Sequence, residues 1–379
     1  MEFGWSQAQE NYRERIRAAL RELLPADWHE TYTPQSYASD AQIEFSRKFC
    51  PQLAERGLLV RHWPKEWGGE GGDDWEQFIL AEEMKVAGEP RGPQYMNVNW
   101  IGPTLMRFAT PEQREKYLPG IARGTTIWCQ GFSEPGAGTD LAALRTKAER
   151  IGDRYRINGS KIWTSYARKA DMCFLLARTG AGRKEITVLL VPMATMGVSV
   201  TSNPGLCKDG HLNEVFFTDV DVAIDARLGE EGQGWAIVTH ALSFERTGVP
   251  RYHVGIEVLG LAIAQLKAEG RADDPIVRAR AGMIAAQFEA ARALTYLVVD
   301  QRVKRAPENT DANVARITAL DAVVELMNFL VEFTPDCLAG GDAQLEEYYR
   351  INVPAGVTAG TYELQLDLIA QRGLGLPRG

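Results

Sequence analysis

Cysteine is scarce and scattered. The 379 residues include five, Cys50, Cys129, Cys173, Cys207 and Cys337, and no two form a CxxC pair. Such spacing excludes a zinc ribbon or a disulfide framework and fits a reducing, cytoplasmic setting. Histidine is equally rare, with five residues and no HExxH or similar ligand spacing, so no metal site is expected. Positive charge is in deficit: 42 Lys and Arg stand against 50 Asp and Glu, a formal net charge of −8. That balance argues against a general nucleic-acid surface, although a local basic pocket for phosphate remains open. No apolar run approaches the roughly 20 residues that a membrane helix needs. The N-terminus, MEFGWSQAQENYRERIRAAL, has no basic region followed by an apolar block, so no secretory signal is expected.

What is present is an ordinary globular composition, 45% hydrophobic and 24% charged, with enough chain for a large core and two or three subdomains. Residues 1 to about 125 carry apolar residues near a 3.6 period. Ile16, Ala19, Leu20, Leu23 and Leu24 mark one helix, ended by Pro25, and Phe45, Phe49, Leu53, Leu58 and Leu59 mark another. Thr110-Pro111-Glu112-Gln113 reads as a capped helix start, with the helix ending near Leu118-Pro119-Gly120. From about 126 to 228 the period falls toward two. A hairpin is expected at Lys147–Ile157 around Gly152-Asp153, and a second tight turn at Asn158-Gly159. Further short strands at Met172–Ala177, Ile186–Pro192, Val198–Thr201 and Val215–Val222 suggest a small sandwich or barrel. Helices resume near Gly234, with long segments at His240–Gln265, Pro275–Val303 and Asn313–Leu330 that suit a bundle.

The stretch WCQGFSEPGAGTD, Trp128 to Asp140, sits where helices give way to strands. Its glycines let a backbone approach a ligand and present unpaired N–H groups to it, but alone it reads as a Gly-Pro turn joining two elements. Nine runs in fixed order resolve its meaning. They are WPKEWGGEGG (63–72), GPTLMRFATPEQREKYLPGIARG (102–124), WCQGFSEPGAGTDLAALRTKA (128–148), GDRYRINGSKIWTSYA (152–167), FTDVDV (217–222), GEEGQGW (229–235), LSFER (242–246), AGTYELQ (359–365) and IAQRGLGLPRG (369–379). Together they make nearly the whole chain resemble an acyl-CoA dehydrogenase. The resemblance implies an α+β fold, mostly α: an N-terminal helical domain (1–125), a middle β-sandwich or barrel (126–228) and a C-terminal four-helix bundle (229–379). It implies FAD as cofactor and an acyl-CoA thioester as substrate, oxidised to the trans-2-enoyl-CoA. Electrons would pass to an electron-transfer flavoprotein.

By the same resemblance, Gln130, Phe132 and Ser133 line the flavin, Thr139 lies near a CoA or flavin phosphate, Trp163 packs beside the flavin and Ser165 faces its N5 side. Thr361 and Glu363 match positions at the dinucleotide end of FAD, and Gly340-Gly341 the turn near the adenine. Many relatives place the catalytic Glu where this chain has Ala359, which cannot act as a base. Isovaleryl- and long-chain-type enzymes instead carry a Glu-Arg pair early in the bundle, matched here by Glu245 and Arg246. The resemblance therefore implies Glu245 as base, the Ala359 backbone N–H as donor to the thioester carbonyl, and Arg246 as an orienting, substrate-holding or merely structural residue.

The chain departs from many relatives between the first two bundle helices. They carry Arg-x-x-Phe-Gly there, whose Arg reaches a partner's FAD; this chain reads EGRADDPIVRAR (269–280). Either Arg271 or Arg278 serves from a shifted loop, or the subunit does not complete its neighbour's site. The second option resembles relatives of bacterial steroid side-chain degradation that assemble from unlike subunits, so a homo- or hetero-tetramer is expected. Ala359 also frees space beside the α-carbon, which favours branched or ring-bearing acyl groups. Two other readings stand beside the dehydrogenase: an acyl-CoA oxidase, disfavoured by length, and a supporting subunit with an incomplete FAD site.

Overall fold

The computed structural model describes residues 5–32, 39–182, 185–206, 212–245, 250–307, 309–358 and 360–377, without the side chains of Phe244, Glu245 and Arg251. Seven helices come first: α1 (Gln7–Leu23), α2 (Trp28–Thr31), α3 (Asp40–Glu55), α4 (Asp74–Val86), α5 (Gln94–Met96), α6 (Gly102–Phe108) and α7 (Pro111–Ala122). Strands β1 (Trp128–Gly131), β2 (Lys147–Ile151), β3 (Arg154–Lys161), β4 (Met172–Arg178), β5 (Ile186–Pro192), β6 (Val198–Asn203), β7 (Leu212–Ala223) and β8 (Arg227–Leu228) follow. Helices α8 (Gly234–Glu245), α9 (Arg251–Ala268), α10 (Pro275–Val303), α11 (Asp311–Phe333), α12 (Ala343–Asn352) and α13 (Tyr362–Leu368) complete the chain. They divide into two compact units: one of Met1–Gln35, Asp73–Glu89 and Arg246–Gly379, the other of Ser36–Gly72 and Pro90–Glu245.

The second unit is built on one eight-stranded sheet, ordered β6-β7-β3-β2-β4-β5-β8, with β1 added in parallel to β4. Sequence period and burial agree. In β3 Tyr155 and Ile157 point inward while Arg154 and Arg156 are exposed, the alternation of a sheet covered on one face. Strands β4 and β5 are buried almost continuously, and α8 packs on β5. The expected hairpin forms, with Lys147 opposite Asn158 and Ile151 opposite Arg154 across a turn in which Gly152 has φ 63°.

Asn158-Gly159 is not a turn. Strand β3 runs through it to Lys161, and the pairing with β7 slips between Ile157 and Gly159. The Asn158 amide bonds Asp219 on the neighbouring strand in both directions, at 3.1 and 2.9 Å, so long-range pairing overrides the local turn preference. Gly159 lies so close to Thr146 that a Cβ would overlap its backbone.

Helix α7 starts as expected: the Thr110 hydroxyl accepts from Gln113 N, and the Gln113 side chain returns to Thr110 N. It continues through Pro119 to Ala122 rather than stopping there. Ahead of it, Trp63 is buried and donates its indole N–H to Val98 O at 3.1 Å, inside a π-helical turn at Asn97–Ile101. The glycine-rich loop wraps this tryptophan. Gly71 N donates to Trp63 O at 2.8 Å, and a Cβ on Gly69 would collide with the Trp63 carbonyl. Gly69→Ala is therefore expected to cost about 1–3 kcal/mol through overpacking, read as a lower urea midpoint; an unchanged midpoint would contradict this packing.

The other unit is helical. Its core joins α9, α10, α11 and α12 through residues such as Leu266, Phe288, Leu326, Phe329 and Tyr348, and Phe78 of α4 belongs to it. A buried polar hub lies at the same place. Glu82 of α4 accepts from Tyr252 OH (2.6 Å), Tyr296 OH (2.8 Å) and Arg13 Nη2 (2.9 Å), and lies 3.2 Å from His253 Nε2. The expected helix over His240–Gln265 is two helices, α8 and α9, with Pro250 immediately before α9. Proline lacks the N–H of a helix interior and disfavours helical geometry in the residue before it, which accounts for the break.

Candidate active site

In the sheet unit, β1 brings Gln130 opposite Phe174 of β4. The Gln130 Nε2 is buried and has no hydrogen-bond partner among the described residues. A buried amide N–H without an acceptor costs free energy. Gly131 is flush with the neighbouring strand: a Cβ would sit 2.9 Å from Cys173 Sγ. Phe132 follows, edge-on to Phe174 at 5.9 Å. Ser133 O then accepts from Ile162 N at 2.9 Å, tying the WCQGFS stretch to KIWTS.

That tie places Trp163. Its other neighbour, Thr164, is held by Asn213, which accepts from Thr164 N at 2.9 Å and donates its Nδ2 to Thr164 O at 3.0 Å. Between these clamps Trp163 takes φ 58° and stands 57% exposed. A bulky side chain in left-handed backbone is strained, and an indole this exposed leaves a large apolar face uncovered. Ser165 is half-buried beside it. The structure thus ties Ser133, which follows Gln130 and Phe132, to the segment that carries Trp163 and Ser165.

Beyond Ser133 the chain folds back on itself. Glu134 and Ala137 exchange both backbone hydrogen bonds at 3.0 Å around Pro135-Gly136. No described residue crowds Gly136 or Gly138, and Thr139 is exposed in the same loop. Beneath the loop lies an ion pair absent from the sequence reading. Lys161 Nζ, fully buried, donates to Glu134 Oε1 at 2.8 Å and to Phe132 O at 2.9 Å. Glu134 also accepts from Thr146 N (2.8 Å) and Arg145 N (2.6 Å). Burial pushes the Lys161 ammonium down to about 8, with Glu134 opposing the shift. Burial pushes Glu134 up, but Lys161 and the donors from Thr146 and Arg145 outweigh it and hold the carboxyl below its usual range.

Glu245 is the last residue of α8. That helix is fixed within the sheet unit, where His240 Nδ1 lies 3.2 Å from Arg107 Nη1 and its ring meets Phe108 at 5.4 Å. Arg246 and Ala359 lie outside the described residues.

In the helical unit, Thr361 is the N-cap of α13, its hydroxyl accepting from Leu364 N at 3.2 Å, and Glu363 is exposed in the first turn. Gly360, at φ 88°, precedes them. A second unanticipated residue braces this loop: buried Arg316 donates from Nη2 to Thr358 O (2.8 Å) and Ala355 O (3.2 Å). Gly340 (φ 96°) and Gly341 form a turn between α11 and α12, and a Cβ on Gly341 would sit 2.6 Å from Asp336 O. Of the alternatives for the missing arginine contact, Arg271 is engaged at home, with Nη1 2.8 Å from Glu269 Oε2 and 3.0 Å from Phe333 O. Arg278 is exposed, and Asp274 caps α10 by accepting from Ile276 N at 2.7 Å.

Three family models match in order: the acyl-CoA dehydrogenase N-terminal domain over residues 6–125, the middle domain over 129–220 and the C-terminal domain over 232–374. The chain is 32% identical to acyl-CoA dehydrogenase IpdE1 of Mycobacterium tuberculosis over 345 residues, 89% of each chain. Among solved structures it is similar to the "Tcur3481-Tcur3483 steroid ACAD" at 31% identity and TM-score 0.88, covering 100% of both chains. It is also similar to a chain of the ChsE4-ChsE5 complex from Mycobacterium tuberculosis, at 31% identity and TM-score 0.86 over the full length of both.

Proposed function

Because the chain belongs to the acyl-CoA dehydrogenase family, an oxidoreductase family acting on the CH–CH of acyl-CoA, we propose that it performs FAD-dependent α,β-dehydrogenation of an acyl-CoA thioester to the trans-2-enoyl-CoA. FAD is the cofactor of this family. Two observations support its assignment to the sheet unit: the partnerless buried Gln130 Nε2, and the clamped, exposed Trp163. One supplies a hydrogen-bond donor and the other an apolar face, and a flavin ring edge and plane need both. Gln130, Phe132, Ser133, Trp163 and Ser165 would hold its redox end, and Thr139 a phosphate. Thr361, Glu363 and the Gly340-Gly341 turn would meet the dinucleotide end.

Bound FAD supplies the two-electron acceptor; the acid–base work falls to the chain. Glu245 takes the α-proton, with Arg246 beside it. The Ala359 N–H donates to the thioester oxygen as negative charge develops there. Arg316 supports that role by bracing residues 355–358. Electrons leave to an electron-transfer flavoprotein. The acyl group is branched or ring-bearing, of the steroid side-chain type. In support, residue 359 is alanine, smaller than the glutamate of many relatives, and the similar Tcur3481-Tcur3483 structure is of a steroid enzyme.

A second reading concerns assembly. Arg271 is tied to its own subunit and no Phe-Gly follows it, while the two similar structures carry two chain names each. On this reading the chain pairs with an unlike subunit. Purifying it alone and with a co-expressed family partner, then measuring flavin content and dye reduction with short, branched, long and steroid CoA thioesters, tests both. Dye reduction with a branched or steroid thioester is expected, and none with any thioester in a flavin-loaded preparation would defeat the dehydrogenase reading. A full, stable FAD complement with activity in the chain alone would defeat the unlike-subunit reading.

A further inference from the structure

The sheet unit spends a buried charge where a hydrophobic side chain would pack at lower desolvation cost. Lys161 ends β3 at an inward-facing register position, two residues on from Gly159 and four from Ile157. A methionine could fill that volume. It could not donate to Phe132 O, nor neutralise Glu134.

The bonds radiating from this pair reach three backbone segments. Lys161 Nζ holds the Phe132 carbonyl at 2.9 Å. Glu134, one residue past Ser133, is held by the same ammonium and in turn holds the N–H groups of Arg145 and Thr146. Thr146 Oγ1 donates to Ser160 O at 3.2 Å, closing a ring back to β3. Directly after Lys161 comes the Ile162 N to Ser133 O bond, then Trp163. Cys173 of β4 is the other titratable group facing the ammonium. Lys161 has three donors and no acceptor, and two of them go to partners on the Phe132–Glu134 segment.

We infer that Lys161 and Glu134 are a positioning pair, holding Phe132–Ser133 and Trp163–Ser165 in one fixed register so that both present to the flavin together. The inference rests on the flavin reading above. The pair touches neither substrate nor cofactor in this role; it acts through the Phe132 carbonyl, the Ser133–Ile162 bond and the strained Trp163. A strained backbone persists only where its surroundings over-determine it, and the pair is the buried anchor next to that strain.

The test uses the full chain, loaded with FAD in whatever assembly it purifies. Lys161→Met is compared with the wild type for cooperative melting, FAD dissociation constant, and the position and shape of the bound flavin's visible bands. Expected is a folded protein with FAD affinity down by about tenfold or more, in line with removing a supporting shell around a bound group, and with altered flavin bands. A folded variant with wild-type affinity and an unchanged spectrum would overturn the inference, since a purely structural lysine moves only the melt. Should Lys161→Met not fold, Glu134→Gln decides by the same two readouts, because it keeps an acceptor for Thr146 N while removing the charge. Trp163→Phe separates the two levels of the argument. If it leaves the flavin spectrum and affinity untouched, the flavin reading itself fails and the positioning pair falls with it. If it changes them while the pair variants do not, only the pair is lost.

Discussion

Glu245→Gln is expected to lower turnover by about 10²–10⁴-fold, the contribution typical of a positioned general base, while bound flavin keeps its content and visible spectrum. The reasoning is one of elimination joined to placement. Residue 359 is alanine, so the carboxylate that many relatives carry in the C-terminal loop is missing, and the proton must go elsewhere. Glu245 closes α8, whose His240 is fixed to Arg107 and Phe108 and which packs on β5 and on the π-helical turn at Asn97–Ile101. The packing of α8 fixes the backbone from which Glu245 would act, and proton transfer requires such positioning. Glutamine keeps the shape and loses only the ability to accept a proton. Dye-linked turnover with the best thioester, alongside the flavin absorbance, reads the two effects separately. Unimpaired turnover would remove Glu245 as the base. Loss of flavin together with activity would instead assign it a structural role.

Much of the framework behind this prediction is legible in local sequence. The Thr110–Gln113 box, the Lys147–Ile157 hairpin and the period-two strands rest on signals within a few residues of each other, and each forms. Where the reading goes astray, a distant partner decides. Asn158-Gly159 has the composition of a tight turn, yet Asp219, far along the chain, captures the asparagine and keeps the strand running. The apolar period crosses from α8 into α9 without a gap, and only Pro250 signals the break. Site residues divide in the same way. Gln130, Trp163 and Glu245 are proposed through resemblance, because only the motifs single them out. Lys161 carries a local signal: the alternation of β3 puts it inward, and an inward lysine demands a carboxylate. Arg316 has none, since its partners are carbonyls of a loop roughly forty residues away. Glu82 carries no local signal either: it is buried on α4 by partners from α1, α9 and α10.

That buried acid and a half-buried histidine give the two units different acid limits. His62 is held down to about 3, chiefly by burial and with Arg91 nearby, against an ordinary value of 6.5; the Val98 backbone opposes the shift. Its folded value lies below its unfolded one, so the unfolded chain takes the proton first. Stability from the neutral ring is therefore complete above pH 6.5 and drains as pH falls toward 3, a loss on the order of 4 kcal/mol if fully expressed. Glu82 is held down to about 2 against 4.5: burial opposes this, but His253, Tyr252 and Arg13 outweigh it. Its contribution, roughly 3 kcal/mol, is intact above pH 4.5 and lost only between 4.5 and 2. The sheet unit carries His62 and the helical unit carries Glu82, so acid should weaken the sheet unit first. Denaturant midpoints at pH 7, 5.5 and 4.5, followed by hydrogen exchange of β4–β5 amides and of α10–α11 amides, would show the order. His62→Phe should flatten the decline above pH 4.5 for the sheet amides alone. Glu82→Gln should cost about 3–5 kcal/mol at pH 7 by leaving Arg13 poorly matched, and should remove the lower window from the helical amides. A wild-type protein whose sheet amides keep full protection down to pH 4.5 would show that His62 is not held as a neutral ring.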